Sequence, residues 1–157
     1  MTWIVDTCVL LDVHLNDPTF GRSSATCLAH LLPQGLAITS TTFIELGPAF
    51  RGKIALAEAF LDEVGVAHQA FPGSVLGLTP AWTEDDTIHA FAAWHRQTQA
   101  RRASGGTIPR RPVADLFIAT VARRFSGIIT RNVAHFQALN TDEVLLIVDP
   151  TRPNTWP

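Results

Sequence analysis

The sequence predicts an α/β fold, a single-domain α/β/α sandwich around a mostly parallel central sheet. Short apolar runs of strand character recur along the chain at Trp3-Ile4-Val5, Leu36-Ala37-Ile38-Thr39, Ile128-Ile129-Thr130 and Leu145-Leu146-Ile147-Val148. Between them lie stretches with helical spacing and end signals. Strands that alternate with helices imply parallel pairing with both sheet faces covered. The 157 residues suit one core, enough to bury roughly two thirds of the unfolded surface.

Each element has its own signal. Trp3-Ile4-Val5 reads as a buried strand that delivers Asp6 at its carboxyl end, with a first helical stretch after it. Residues 23–32 form a helix with Ser23 or Ser24 as cap, closed by Pro33-Gln34-Gly35, and Leu36–Thr39 makes a second short strand. Ser40 is placed to cap the helix carrying Glu45, which Pro48 ends or kinks. A helix over roughly Ile54–Val64 sets Ala57, Phe60, Leu61 and Val64 inward and Glu58, Asp62 and Glu63 toward solvent. Val66–Phe71 and Ser74–Leu78, around Pro72-Gly73, fit strand or loop equally. Thr83 with Asp86 makes a capping-box variant opening a helix to about Arg102, with Ile88, Phe91, Ala92 and His95 on one face. Ala103–Pro109 reads as a site loop, too short to separate domains. Pro112 starts the helix that holds Asp115 in its first turn, Gly127 closes it, and strands Ile128–Thr130 and Leu145–Val148 follow.

Composition narrows the function classes. The chain is 46% hydrophobic and 17% charged, yet no apolar run approaches the ~20 residues needed to span a bilayer. Its first residues, Met1-Thr2-Trp3-Ile4-Val5-Asp6, have no basic residue before the apolar stretch and meet an acid too early for a secretion signal, so a cytoplasmic location is expected. Cys8 and Cys27 then read as small buried hydrophobes, and no second Cys or His lies at zinc-ligand spacing from them. The net charge of −2 conceals an asymmetry, because residues 96–131 hold Arg96, Arg101, Arg102, Arg110, Arg111, Arg123, Arg124 and Arg131 against one acid, Asp115. Eight cations less one anion leave +7 around that acid. This arm suits a phosphate backbone, or else ends helices and solvates a loop.

Three acids sit at the edges of apolar segments: Asp6 in Ile4-Val5-Asp6-Thr7, Glu45 in Thr42-Phe43-Ile44-Glu45-Leu46, and Asp115 in Val113-Ala114-Asp115-Leu116-Phe117-Ile118-Ala119. A carboxylate buried without compensation costs several kcal/mol, roughly 2–7 even for a neutral polar group, so a divalent cation is an economical partner. Mg²⁺ and Mn²⁺ prefer hard oxygen ligands and keep waters and substrate phosphate in their shells. The set therefore suggests a metal-dependent nuclease with Asp6, Glu45 and Asp115 as ligands. Plainer roles exist for each: a helix cap for Asp6, an exposed helix position for Glu45, a dipole-favoured first-turn acid for Asp115. Thr7 is expected to support Asp6, Asp12 to be solvated, His135 to be structural, and Trp82 and Trp94 to lie in the core.

The order and context of Asp6-Thr7, Glu45-Leu46, Ala114-Asp115-x-x-Ile118-Ala119 and Thr130-Arg131-Asn132 followed by Phe136 resemble the PIN domain over about residues 3–150. The resemblance implies a nuclease domain over 1–150 with residues 151–157 as a C-terminal tail, Mg²⁺ or Mn²⁺ held by clustered carboxylates, and cleavage of single-stranded or structured RNA. Small single-domain members resemble VapC-type toxins, which implies a cognate antitoxin protein that inserts a basic side chain among the carboxylates, and a homodimer. One departure stands out: Asn132 and His135 occupy the positions where the family carries a fourth acid. Asn132 still offers a carbonyl oxygen or an amide that orients water, so it joins the candidate site. The same departure suits an alternative, a catalytically impaired PIN-like module that binds RNA or a partner. A metal phosphatase with Asp6 as nucleophile ranks third, because Cys8 stands where that chemistry wants a second Asp.

Overall fold

The computed structural model describes residues 2–68, 81–107, 113–140 and 144–157. Five strands, β1 (Trp3–Val5), β2 (Leu36–Ala37), β3 (Val66–Ala67), β4 (Gly127–Ile129) and β5 (Ile147–Val148), form one sheet in the order β3-β2-β1-β4-β5. Every pairing is parallel. Seven α-helices are described: α1 (Thr7–His14), α2 (Gly21–Leu31), α3 (Ser40–Leu46), α4 (Ile54–Glu63), α5 (Glu84–Ala103), α6 (Ala114–Ala122) and α7 (Val133–Leu139). Among the described residues, no helix is long and apolar enough to cross a membrane.

The period-2 alternation of β1 splits the core into two layers. Trp3 and Val5 pack with Val9 and Leu10 of α1, Cys27, Leu28 and Leu31 of α2, Leu46 of α3 and Leu61 of α4. Ile4 faces the other way, with Ile128 of β4, Ala93 of α5, Leu116, Ile118, Ala119 and Ala122 of α6, and Phe136 and Leu139 of α7. This is the sandwich that the sequence predicts. The chain winds outward from β1 through β2 to β3, then returns to the far side of β1 for β4 and β5. The direction of winding thus reverses between β1 and β4, and a parallel sheet opens a crevice at the carboxyl ends of such a strand pair.

Several local expectations change in the structure. The second helix starts at Gly21, where the Asp17 carboxylate accepts the backbone N–H groups of Thr19 and Phe20, so Ser23 and Ser24 lie inside the helix. Thr39 rather than Ser40 caps α3, its hydroxyl accepting from the Thr42 N–H at 3.1 Å. The capping box of α5 is present, with reciprocal Thr83 and Asp86 bonds, but its inward face holds Asp86, Ala90 and Ala93. Ile88 and Phe91 are 61% and 80% exposed, opposite to the expected face. Trp82 is also exposed, packed edge-on against Phe117. Gly127 is the first residue of β4, not a helix end: its φ is +148°, and a Cβ there would lie 2.3 Å from the Leu146 carbonyl oxygen. The alternatives for residues 69–71 and 74–78, the Pro112 helix start, and Arg110 and Arg111 fall outside the described residues. At the C-terminus, Trp156 packs on the first core layer and its indole N–H donates to the Asp149 carbonyl at 2.9 Å.

Candidate functional site

The parallel register explains how the site is assembled. Val5 pairs with Ile129, so the next residues on the two chains, Asp6 and Thr130, leave the sheet side by side. Asp6 caps α1, its Oδ1 accepting the Thr7 N–H at 2.7 Å. Its Oδ2 accepts the Thr130 hydroxyl at 2.6 Å and the Cys8 thiol at 3.1 Å. The side chain is nearly sealed, with Asp6 5% exposed. The donors described for it are all neutral. Burial pushes its carboxyl upward from the ordinary value and the charge of Asp115 adds to that, against the lowering effect of the Thr130, Cys8 and Thr7 hydrogen bonds.

Glu45 arrives from the last turn of α3 and receives the Thr7 hydroxyl on Oε2 at 2.5 Å. Its carboxyl is likewise raised, first by burial and then by the charges of Asp6 and Asp115, while the Thr7 bond opposes the shift. Asp115 occupies the first turn of α6. Its Oδ2 accepts the Asn132 side-chain amide at 3.1 Å and lies 2.5 Å from His135 Nδ1. Asn132 in turn donates its backbone N–H to Thr130 Oγ1 at 2.9 Å, which ties the two halves of the site together.

Asp6, Glu45, Asp115 and Asn132 therefore converge, as the sequence places them. All four line one cavity of about 510 Å³, together with Thr7, Cys8, Leu11 and Pro48. Among the described residues, no lysine or arginine lines it. Sequence reasoning passed over three contributors. Cys8 donates to Asp6, and burial together with the Asp6 charge pushes its thiol up to about 12. Thr130 bonds Asp6, a contact readable from strand alignment, since it directly follows the run that pairs with β1. His135, expected to be structural, meets Asp115, and its three-residue spacing from Asn132 at the start of α7 is the available signal. Thr7 supports Asp6 through its backbone but spends its hydroxyl on Glu45.

Asp12 reverses the expectation of a solvated acid. It is 3% exposed, accepts the Ser24 hydroxyl at 2.7 Å, and takes both arms of Arg131, Nε at 2.6 Å and Nη2 at 2.8 Å. Arg124 similarly binds Asp86 at 2.8 Å, so at least two of the arginines described in the basic arm are committed to carboxylates.

The donor chemistry of the cavity fits a hard divalent cation. Its oxygens come from three carboxylates and an amide, and two of the carboxylates feel their neighbours' charges. As they stand, no three His, Cys, Asp or Glu side chains among the described residues lie close enough together to hold a metal ion. To hold a cation the carboxylates would have to draw inward, against a mutual repulsion that the cation would offset.

No protein-family model matches the chain, and no curated protein does. Solved structures do. A chain of VapBC-1 from nontypeable Haemophilus influenzae is 23% identical and superposes with a TM-score of 0.59 over 96% of this chain and 99% of that one. A chain of VapBC2 from Rickettsia felis, in a complex bound to a DNA fragment from their promoter, is 16% identical with a TM-score of 0.56 over 95% and 98%. The chain thus has, over nearly its whole length, the fold of the matched chains in these two structures, an α/β/α sandwich such as the sequence predicts.

Proposed function

We propose that the chain is a metal-dependent endoribonuclease, the toxin of a toxin–antitoxin pair, that cuts single-stranded or structured RNA. One observation carries the reading: three carboxylates converge on one cavity at the sheet's crevice, which no described lysine or arginine lines. Asp6, Glu45 and Asp115 would hold Mg²⁺ or Mn²⁺, with Asn132 contributing its carbonyl oxygen or orienting water. When bound, such an ion supplies Lewis-acid chemistry, neutralising phosphodiester charge and making water a better nucleophile. The protein's own part is to fix the acceptors. Thr130, Thr7 and Cys8 hold Asp6, the Thr7 hydroxyl holds Glu45, and Asn132 and His135 hold Asp115.

The proposed partners are an RNA substrate, a cognate antitoxin and a second copy of the chain, in the cytoplasm. The antitoxin is supported by the two VapBC likenesses and by an apolar groove of about 350 Å³ between α3 and α4, lined by Phe43, Ile44, Phe50, Lys53 and Ile54. Ile44 is 73% exposed there and extends the apolar lining toward solvent. RNA is supported by Arg96, Arg101 and Arg102 near the end of α5, whose short connection leads to the helix bearing Asp115. A second reading, a PIN-like binding module with impaired chemistry, rests on Asn132 at the fourth acidic position.

The test is cleavage of a structured RNA pool by purified protein with Mn²⁺ or Mg²⁺, beside EDTA and an Asp115→Asn variant prepared identically. Metal-dependent cutting that the variant loses is the expected result. Equal inactivity of both proteins with RNA still bound would replace the nuclease with the binding module.

A further inference from the structure

Arg131 lies between the two residues that link the halves of the site. Thr130 before it holds Asp6, and Asn132 after it holds Asp115. Thr130 Oγ1 also lies 3.7 Å from the Cys8 sulfur, and the Arg131 guanidinium grips both oxygens of Asp12. Cys8 and Asp12 are four residues apart in α1, hence on one face of the helix. The turn after β4 is therefore held against α1 at two points one helical turn apart. The grip is itself fixed: Ser24 of α2 donates to Asp12, and the guanidinium lies 4.1 Å from the centre of the Phe20 ring. A planar, two-pronged contact of this kind sets orientation as well as distance, which a lysine ammonium does not.

We propose that Asp12 and Arg131 are positioning residues of the site: their fork holds the turn after β4 so that Thr130 Oγ1 faces Asp6 and the Asn132 amide faces Asp115. The proposal rests on the nuclease reading for its kinetic consequence but not for its structural one. Asp12 is sealed from solvent and from substrate, so any effect it has on cleavage passes through Arg131 and the turn. Misplacement of reacting groups by about 1 Å costs on the order of 100-fold in rate, and loss of groups that orient metal ligands costs roughly 10–100-fold in activity.

The experiment compares Arg131→Lys and the charge-neutral double variant Asp12→Asn/Arg131→Gln with the unmodified chain. It measures RNA cleavage with Mn²⁺ and the ¹H–¹⁵N resonances of the Asn132 side-chain amide, which reaches Asp115, and of the Thr7 backbone, which donates to Asp6, in metal-free protein. Thr83→Ala, which weakens the cap of α5 away from the site, controls for lost stability alone. The expected result is that both test variants shift the Asn132 side-chain and Thr7 resonances and lower kcat by roughly 10–100-fold with little change in KM, while Thr83→Ala does neither. Arg131→Lys restoring kcat, with KM and its salt dependence the quantities that move, would overturn the proposal in favour of a phosphate contact. Unshifted resonances would overturn it outright. If the double variant does not fold, Arg131→Lys decides alone. If the unmodified chain does not cut RNA, the nuclease reading fails and the resonances still decide the positioning.

Discussion

The two ends of α1 each bury a carboxylate, and they treat it in opposite ways. Asp12, in the second turn, is 3% exposed and meets a cation, Arg131, through two hydrogen bonds, with Ser24 as a third donor. Asp6, at the cap, is 5% exposed and meets a backbone amide, a hydroxyl and a thiol, with Asp115 near enough to raise its proton affinity further. Burial is the same; compensation is not. The Asp12 end is a closed electrostatic unit, its charge matched by a cation. The Asp6 end gathers carboxylates with no described lysine or arginine lining their cavity, and that imbalance is what the proposed cation site would use.

The largest predicted effect breaks the closed end. Arg131→Met leaves the Asp12 carboxylate buried without its cation and should cost about 3 kcal/mol in unfolding free energy, the lower part of the range for a broken buried pair because the arginine side chain is 27% exposed. Urea unfolding at neutral pH reads it. Asp6→Asn should have the opposite sign, raising the metal-free midpoint, because it removes a desolvated charge instead of stranding one. A loss of stability as large as that of Arg131→Met would erase the contrast.

Next in size is stabilisation by metal. At about 100 times its dissociation constant, Mn²⁺ should add roughly 2.7 kcal/mol to the folded state, or about 5–10 °C in Tm for a chain of this length. Asp6→Asn should abolish that gain. The pH dependence follows in magnitude. The folded protein holds the Asp6 and Glu45 protons more tightly than the unfolded chain does. Their contribution therefore favours the metal-free fold below the ordinary carboxylate values and is lost as pH rises through the raised folded ones. Asp17, held low by the Phe20 and Thr19 amides, contributes with the reverse sign, so the comparison to make is the slope of Tm against pH in the unmodified chain minus that in Asp6→Asn. That difference should be negative between the ordinary carboxylate values and the raised folded ones, and should turn positive with saturating Mn²⁺, which binds only the deprotonated carboxylate.

The smallest effect sharpens the open end further. Asn132→Asp restores an acid beside Asp115, whose Oδ2 the present amide reaches at 3.1 Å. An added half-exposed charge contributes on the order of 1 kcal/mol, roughly fivefold in affinity. Calorimetric titration should show tighter Mn²⁺ binding together with a lower metal-free Tm. Tighter binding without the loss of apo stability would mean that the carboxylates do not interact across the cavity.

Much of this site was legible because its residues follow strands. A carboxylate after an apolar triplet lands at the sheet edge once the sheet is parallel, which places Asp6, and the matching run Ile128-Ile129 places Thr130 to Asn132 beside it. The Thr83 and Asp86 capping box was also local, and it is present. What was not legible depended on partners far along the chain. Asp12 looked solvated because Arg131 stands 119 residues away and no local pattern announces it. The face of α5 was misread because Ile88 and Phe91, large apolar residues at helical spacing, lie on its solvent side. Small Ala90 and Ala93, with the Arg124-paired Asp86, are what that helix buries.

The most direct measurement of the central claim is a Mn²⁺ titration of the metal-free protein, followed by the electron paramagnetic resonance signal of the free ion, for the unmodified chain and for Asp6→Asn. The account predicts that the unmodified chain removes the free-ion signal until its site is filled and that Asp6→Asn leaves the signal at its protein-free intensity. Equal removal by both proteins, or by neither, would contradict it.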